Sequence, residues 1–258
     1  MFEIFLGVRY LKAKRKQRFI SIITIISILG VMVGVMALVV VLSVMNGFRA
    51  DLMSKILGVN SHVLVMSLGG PFAGYRDAAE KIGTVDGVVA STPFIYTQVM
   101  LNNAGNVSGA VLRGIDPITA GKVIDFKKMI KSGSLKDLVK EQDEIQGIII
   151  GSILAKQIAA YPGSLISVIS PEGKLTPFGR SPNTKRFIVS GIFDSGMYEY
   201  DASMAYIALE EAQAFLGLGD NVTGLEVRVR DVYESDRVGK VVQDLLGHPY
   251  WTKDWKVM

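Results

Sequence analysis

Few residues in this chain are able to do chemistry, and they are poorly spaced for it. The 258 residues include two histidines, His62 and His248, and no cysteine. A metal site needs several donors converging at characteristic spacings. Neither histidine has acids placed to join it, so no metal and no cofactor is expected. The lack of cysteine removes thiolate nucleophiles, and no G-x-S-x-G turn presents a serine. Gly121-Lys122 has the ending of a phosphate loop, but the preceding glycine, Gly114, lies too far back. Asp116 stands at the position a first glycine would need, and Val123 where Ser or Thr must bind magnesium. Asn106-Val-Ser and Asn221-Val-Thr have the form of glycosylation acceptors, a form that means nothing if the source is bacterial. The expectation is a protein without an active site.

What remains is the chemistry of surfaces, and the most apolar of them runs from Phe19 to Phe48. Those thirty positions hold no Lys, Arg, Asp or Glu. A bilayer core needs roughly 20 apolar residues in a helix, so the segment is read as a membrane span. It is too long for the apolar region of a signal peptide, and its far end offers no small-x-small cleavage site. Six bases and no acid lie between Arg9 and Arg18. Basic flanks stay on the cytoplasmic side, which puts the N-terminus inside and residues beyond about 49 outside. Of the chain's 28 bases and 24 acids, six bases and one acid fall in residues 1–48. The exported part is therefore near neutral and lacks the electrostatic footprint of a nucleic-acid binder. The basic cluster fits contact with anionic membrane lipid instead, and residues 2–13 read as a short helix on the inner surface.

Within the span, Ser27, Gly30, Gly34 and Ala37 form a stripe of small residues, the kind that lets another helix approach closely in lipid. The helical pattern continues past Phe48 to a stop at Gly58, giving a stalk with Asn46-Gly47 as its natural bend. The external domain has no disulfide, and at about 200 residues it can bury an adequate core without one.

That domain alternates short strands and helices. His62–Leu68, Val88–Leu101, Val107–Ile115, Gly224–Arg230 and Trp251–Val257 read as strands, with helices over Tyr75–Ile82 and Glu234–Leu246. A β-α-β at each end points to a split ferredoxin-like α+β sheet over 62–115 and 221–258. Residues 116–220 are then an insertion, with strands at Gly147–Ile150, Leu165–Ser170, Arg186–Phe193 and Ala205–Leu209 and helices at Ser152–Ala160 and Glu210–Leu216. Residues 1–18 form the cytoplasmic basic segment, 19–48 the span and 49–61 the stalk and connector. Between Ser170 and Arg186 lies a connection of about fifteen residues, where a hairpin usually needs 2–5. Its stretch Pro171–Pro182 holds three prolines and the apolar Leu175 and Phe178. An apolar tip on a stiff, long loop is read as a binding element.

Several stretches carry a family resemblance. Arg9–Ser21, the junction Val41-Leu-Ser-Val-Met-Asn-Gly-Phe48, Ile56–His62, Thr176-Pro-Phe-Gly-Arg180 and Phe187–Asp194 together resemble the membrane subunits of the lipoprotein-releasing ABC transporter, the LolC/LolE family. These belong to the wider group that includes MacB and FtsX. The resemblance implies a non-enzymatic permease subunit in the bacterial inner membrane, paired with a second copy or paralogue. It also implies a separate cytoplasmic ATPase subunit, lipoprotein cargo and the periplasmic chaperone LolA. It implies a Porter-like domain, the βαβ halves, carrying an inserted Sabre-like β-rich part. Pro171–Pro182 takes the place of a chaperone-recruiting hook, formed by Pro171, Leu175, Pro177, Phe178, Gly179, Arg180 and Pro182. Lys185 and Arg186 would be a basic pad beside it. Val44, Met45 and Phe48 would line the lipoprotein entrance, where acyl chains need an apolar, adaptable wall. The family has four spans and residues 1–258 hold one, so the grip on the ATPase is expected on further spans. A MacB-like or FtsX-like subunit, or a single-span anchored binding module, is the alternative reading.

Overall fold

The structure, a computed structural model, describes residues 2–12, 18–141, 144–176 and 179–257. It falls into two units, Met1–Met53 and Ser54–Met258. The first holds α1 (Phe2–Lys12) and most of α2 (Arg18–Val59), a helix of 42 residues. This is the one helix among the described residues long and apolar enough to cross a membrane, and none of its most apolar window is buried by protein. It stays helical through Asn46-Gly47, where the sequence suggested a bend. Lys14, Arg15 and Lys16 of the basic cluster lie outside the described residues.

The second unit begins with β1 (Val63–Ser67), α3 (Tyr75–Gly83), β2 (Val88–Asn103) and β3 (Asn106–Ile115). It continues through two single-turn helices, α4 (Ala120–Val123) and α5 (Phe126–Met129), to β4 (Ile130–Ser132), β5 (Gly147–Gly151) and α6 (Ser152–Gln157). Then come β6 (Leu165–Thr176), β7 (Gly179–Phe193), α7 (Tyr198–Ser203), β8 (Met204–Ala208) and α8 (Leu209–Leu216). The last elements are β9 (Gly224–Val229), α9 (Ser235–Leu246) and β10 (Tyr250–Asp254). Periodicity explains most of them. α3 buries Tyr75, Ala78 and Ile82, one stripe of a 3.6-residue helix. α8 stops at Gly217, which takes a left-handed φ of 68° that few other residues accept. β5 reads Gly-Ile-Ile-Ile-Gly and is buried throughout, as a strand covered on both faces must be.

One end of the sheet runs β10-β1-β9-β2, every pair antiparallel, with α3 and α9 connecting β1 to β2 and β9 to β10. The other end closes on itself. β2 pairs with β3, β3 with β8, β8 with β5, β5 with β7, β7 with β6, and β6 returns to β2. β2 belongs to both ends: Val88–Phe94 pair with β9, and Met100–Asn102 pair with β6 on the same edge. The larger core therefore mixes Val63, Val65 and Val227 with Ile148, Ile166 and Phe187. A smaller core gathers Val59, Phe126, Phe193 and Tyr206, with the Phe126 and Tyr206 rings edge to face at 5.1 Å. His62 donates its amide to Val227 and accepts from the amide of Trp255, so the point where α2 ends lies beside the end of β10.

Candidate binding arm and its surroundings

The stretch 171–182, expected as a loop, is largely a two-stranded arm. β6 and β7 pair from Leu165↔Ile188 to Ser170↔Asn183, lose register, and pair again from Lys174↔Ser181 to Thr176↔Gly179. Across the break Pro171, Glu172 and Gly173 face Pro182 alone, a bulge placed where two prolines offer no amide to a ladder. Pro171 and Pro182 are exposed. The backbone sets Leu175 opposite Arg180 and Thr176 opposite Gly179. Pro177 and Phe178 lie outside the described residues. Lys185 and Arg186 sit below the bulge on β7, and their roles divide. Lys185 pairs with Glu211 of α8 and lies 5.8 Å from the Phe187 ring centre, whereas Arg186 is exposed.

On α2, Val44, Met45 and Phe48 are all exposed. At 3.6 residues per turn they fall within an arc of about 100°. Ser27, Gly30, Gly34 and Ala37 occupy a stripe about 80° wide on the same side of the helix. A Cβ added at Gly30 or Gly34 would meet nothing within 4 Å, so the stripe is open to a neighbouring helix.

The residues first tested for catalysis are put to structural use. Nδ1 of His62 lies 3.1 Å from the Val229 carbonyl and 3.2 Å from its amide, clamping the end of α2 to β9. Burial holds the His62 pKa below its usual value. His248 is exposed in the turn before β10, and Gly121 and Lys122 lie in the single turn of α4. Among the described residues no three His, Cys, Asp or Glu gather as a metal site would require. A crevice of about 800 Å³ lies between α3, the turn Asp116–Thr119 and α8. Its charged groups are partly committed: Arg76 bridges to Asp220 at 2.7 Å, and Asp116 accepts from Ile118 and Thr119.

Sequence reasoning missed one buried pair. Arg113 on β3 and Glu226 on β9 meet at 2.5 Å, with 4% and 2% of their surfaces exposed. Burial, the largest single influence, would lower the Arg113 pKa, but the charge and hydrogen bond of Glu226 together with Tyr206 and Tyr200 outweigh it, and the guanidinium stays charged. Tyr206, whose ring centre is 5.9 Å from that guanidinium, is pushed up to about 12 by burial. The signal in the sequence was Arg113 itself, a lone charge in the strand run Ala-Val-Leu-Arg-Gly-Ile.

Residues 24–245 match the family model of the MacB-like periplasmic core domain. The lipoprotein-releasing system transmembrane protein LolC of Neisseria meningitidis serogroup B is 33% identical over 254 residues, covering 98% of this chain and 60% of that protein. LolC of Xylella fastidiosa is 32% identical over 256 residues, covering 98% and 60%. The crystal structure of the periplasmic region of MacB from Actinobacillus actinomycetemcomitans aligns with a TM-score of 0.50 at 13% identity, covering 78% of this chain and 92% of that one. That last likeness is one of fold alone. The chain spans about 60% of the length of these curated relatives.

Proposed function

The chain belongs to the family of MacB-like periplasmic core domains, and from that premise we propose that it forms the membrane-anchored periplasmic part of a LolC/LolE-type lipoprotein-releasing transporter. In this reading α2 crosses the inner membrane with the N-terminus in the cytoplasm, and Ser54–Met258 works in the periplasm. ATP is hydrolysed by a separate cytoplasmic subunit, and a second copy or paralogue packs on the small-residue stripe of α2. Lipoprotein cargo enters past Val44, Met45 and Phe48, and the chaperone LolA docks on the arm.

The observation that carries this reading is the arm. Beyond the proline bulge the backbones of β6 and β7 pair with each other, so a partner can meet this ribbon at little cost to the core. The order β10-β1-β9-β2 with its two crossing helices supports the finer description of a split ferredoxin-like Porter part. The strands of residues 116–220 support a Sabre-like insertion completed by β2 and β3.

The test is capture of purified LolA by the full chain in lipid nanodiscs. Replacing Pro171–Pro182 with a Gly-Ser linker is expected to abolish capture. Undiminished capture would remove the docking role of the arm.

A further inference from the structure

The stretch from Lys122 to Lys131 carries four lysines and one acid, Asp125. The packing of α4 and α5 decides where those charges go. Val123, Ile124, Phe126 and Met129 are buried in the smaller core with Val59, the last residue of α2. With those side chains turned inward, Lys122, Lys127, Lys128 and Lys131 are all exposed. The acid is committed locally, to Arg228 at 3.0 Å and to Lys128 at 3.4 Å. Lys128 keeps 83% of its side chain exposed even so, and remains able to reach another anion. The patch adjoins the end of α2. The Asp125 amide donates to the Gly58 carbonyl, in the last turn of that helix. The Met129 carbonyl accepts from the Asp194 amide, and a Cβ added two residues on, at Gly196, would lie 3.8 Å from Lys55 Cε, one turn back along α2. Val59 is eleven residues beyond Phe48, where the apolar run stops, or about 16 Å along the helix. A headgroup layer takes up roughly 6 Å of that. The remainder, about 10 Å, is comparable with the Debye length at physiological salt.

We propose that Lys122, Lys127, Lys128 and Lys131 form a docking surface for anionic phospholipid headgroups of the membrane that α2 crosses. The occupant follows from charge complementarity and from distance. Four cations with one committed acid among them are held, by the burial of their neighbours, within electrostatic reach of a phosphate-rich surface. A lysine close to an anionic membrane surface favours it by about fivefold, so the patch gathers anionic lipid around the end of α2. The inference rests on α2 being the membrane span, and is independent of what the arm binds.

Photo-crosslinking tests the patch and the span separately, using the full chain in nanodiscs of equal parts phosphatidylcholine and phosphatidylglycerol. Lys127→p-benzoylphenylalanine leaves the other three lysines in place. Its lipid adducts, identified by mass, are expected to favour phosphatidylglycerol about fivefold. Val33→p-benzoylphenylalanine, within the apolar run, should label both lipids. Val107→p-benzoylphenylalanine is exposed on β3, eight residues and about 26 Å from the smaller-core residue Ile115, and should label neither. Adding Lys122→Glu, Lys128→Glu and Lys131→Glu to the Lys127 probe should abolish the preference without changing thermal unfolding, because all three side chains are exposed. Adducts from Val33 with none from Lys127, or with no preference there, overturn the docking surface and leave the span standing. No adduct from Val33 overturns the span and the patch with it. A preference that survives the three glutamates overturns the assignment to these lysines.

Discussion

Arg113 and Glu226 show how a single charged residue misleads a reading by alternation. Arg113 follows apolar residues in β3 and looks like a solvent position, yet Glu226 lies two strands away on β9 and neutralises it inside the sheet. No local pattern links residues so distant in sequence. Removing one partner from a buried pair leaves an uncompensated charge, which costs about 3–5 kcal/mol, whereas replacing both by apolar residues is close to neutral. Glu226→Gln is therefore expected to lower unfolding free energy by about that amount in urea titrations. The double variant Arg113→Met with Glu226→Leu should recover most of it. A Glu226→Gln variant as stable as the parent would show that the pair is solvated. His62 sets a second expectation. Its folded pKa is depressed by burial from 6.5, so the folded state binds its proton less readily than the unfolded state. The stability it contributes is complete above pH 6.5 and is lost as pH falls below that value. Arg228 opposes its protonation, and Asp125 and Asp254 favour it. His62→Asn, which keeps an acceptor for the Val229 amide, should flatten this part of the stability–pH curve. An unchanged curve would mean that other groups set it.

Among the elements, the long and strongly periodic ones were legible. The apolar run gave α2, alternation gave β1, β3 and β9, and the Tyr75 and Glu234 stripes gave α3 and α9 within a residue or two. The arm was not legible as strands, because prolines and a glycine masked pairing that resumes beyond them through register with β7. β4 and α7 were missed for the opposite reason, since three and six residues are too short to show a period. The binding role assigned to Leu175 and Phe178 came from their apolar character and their family likeness, and it still awaits the docking experiment. Packing of α8 on β3 depends on two small residues whose purpose the sequence hides. A Cβ on Gly114 would lie 2.4 Å from the Ala212 Cβ and 3.2 Å from the Ile95 Cβ. Gly114→Ala must push α8 from the sheet, and overpacking of this kind costs about 1–3 kcal/mol. A fall of that size in thermal or urea unfolding is expected. No fall would mean that α8 shifts freely on the sheet.

At the scale of the periplasmic unit, β2 makes the two halves inseparable. Its first part carries β9 and its second part carries β6, and the larger core mixes residues from both ends of the sheet. A domain read from sequence as a sheet with an insertion would have two independent cores, each able to open alone. A shared central strand and a shared core require that neither half lose its packing without exposing the other's. Local openings of a folded protein fall into cooperative units set by such contacts, so β9 and β5 should belong to the same unit. In native-state hydrogen exchange on the full chain in nanodiscs, the slowest amides of β9 and of β5 are expected to converge on one opening free energy as denaturant is added. Glu226→Gln, although it touches only the β9 side, should lower protection in β5 by the same amount. Were β5 to keep its protection while β9 exchanged freely, the insertion would be an autonomous domain. In that case β2 would be a hinge between two bodies, and an arm-bound partner could move the insertion without straining the half that the α2 end is clamped to.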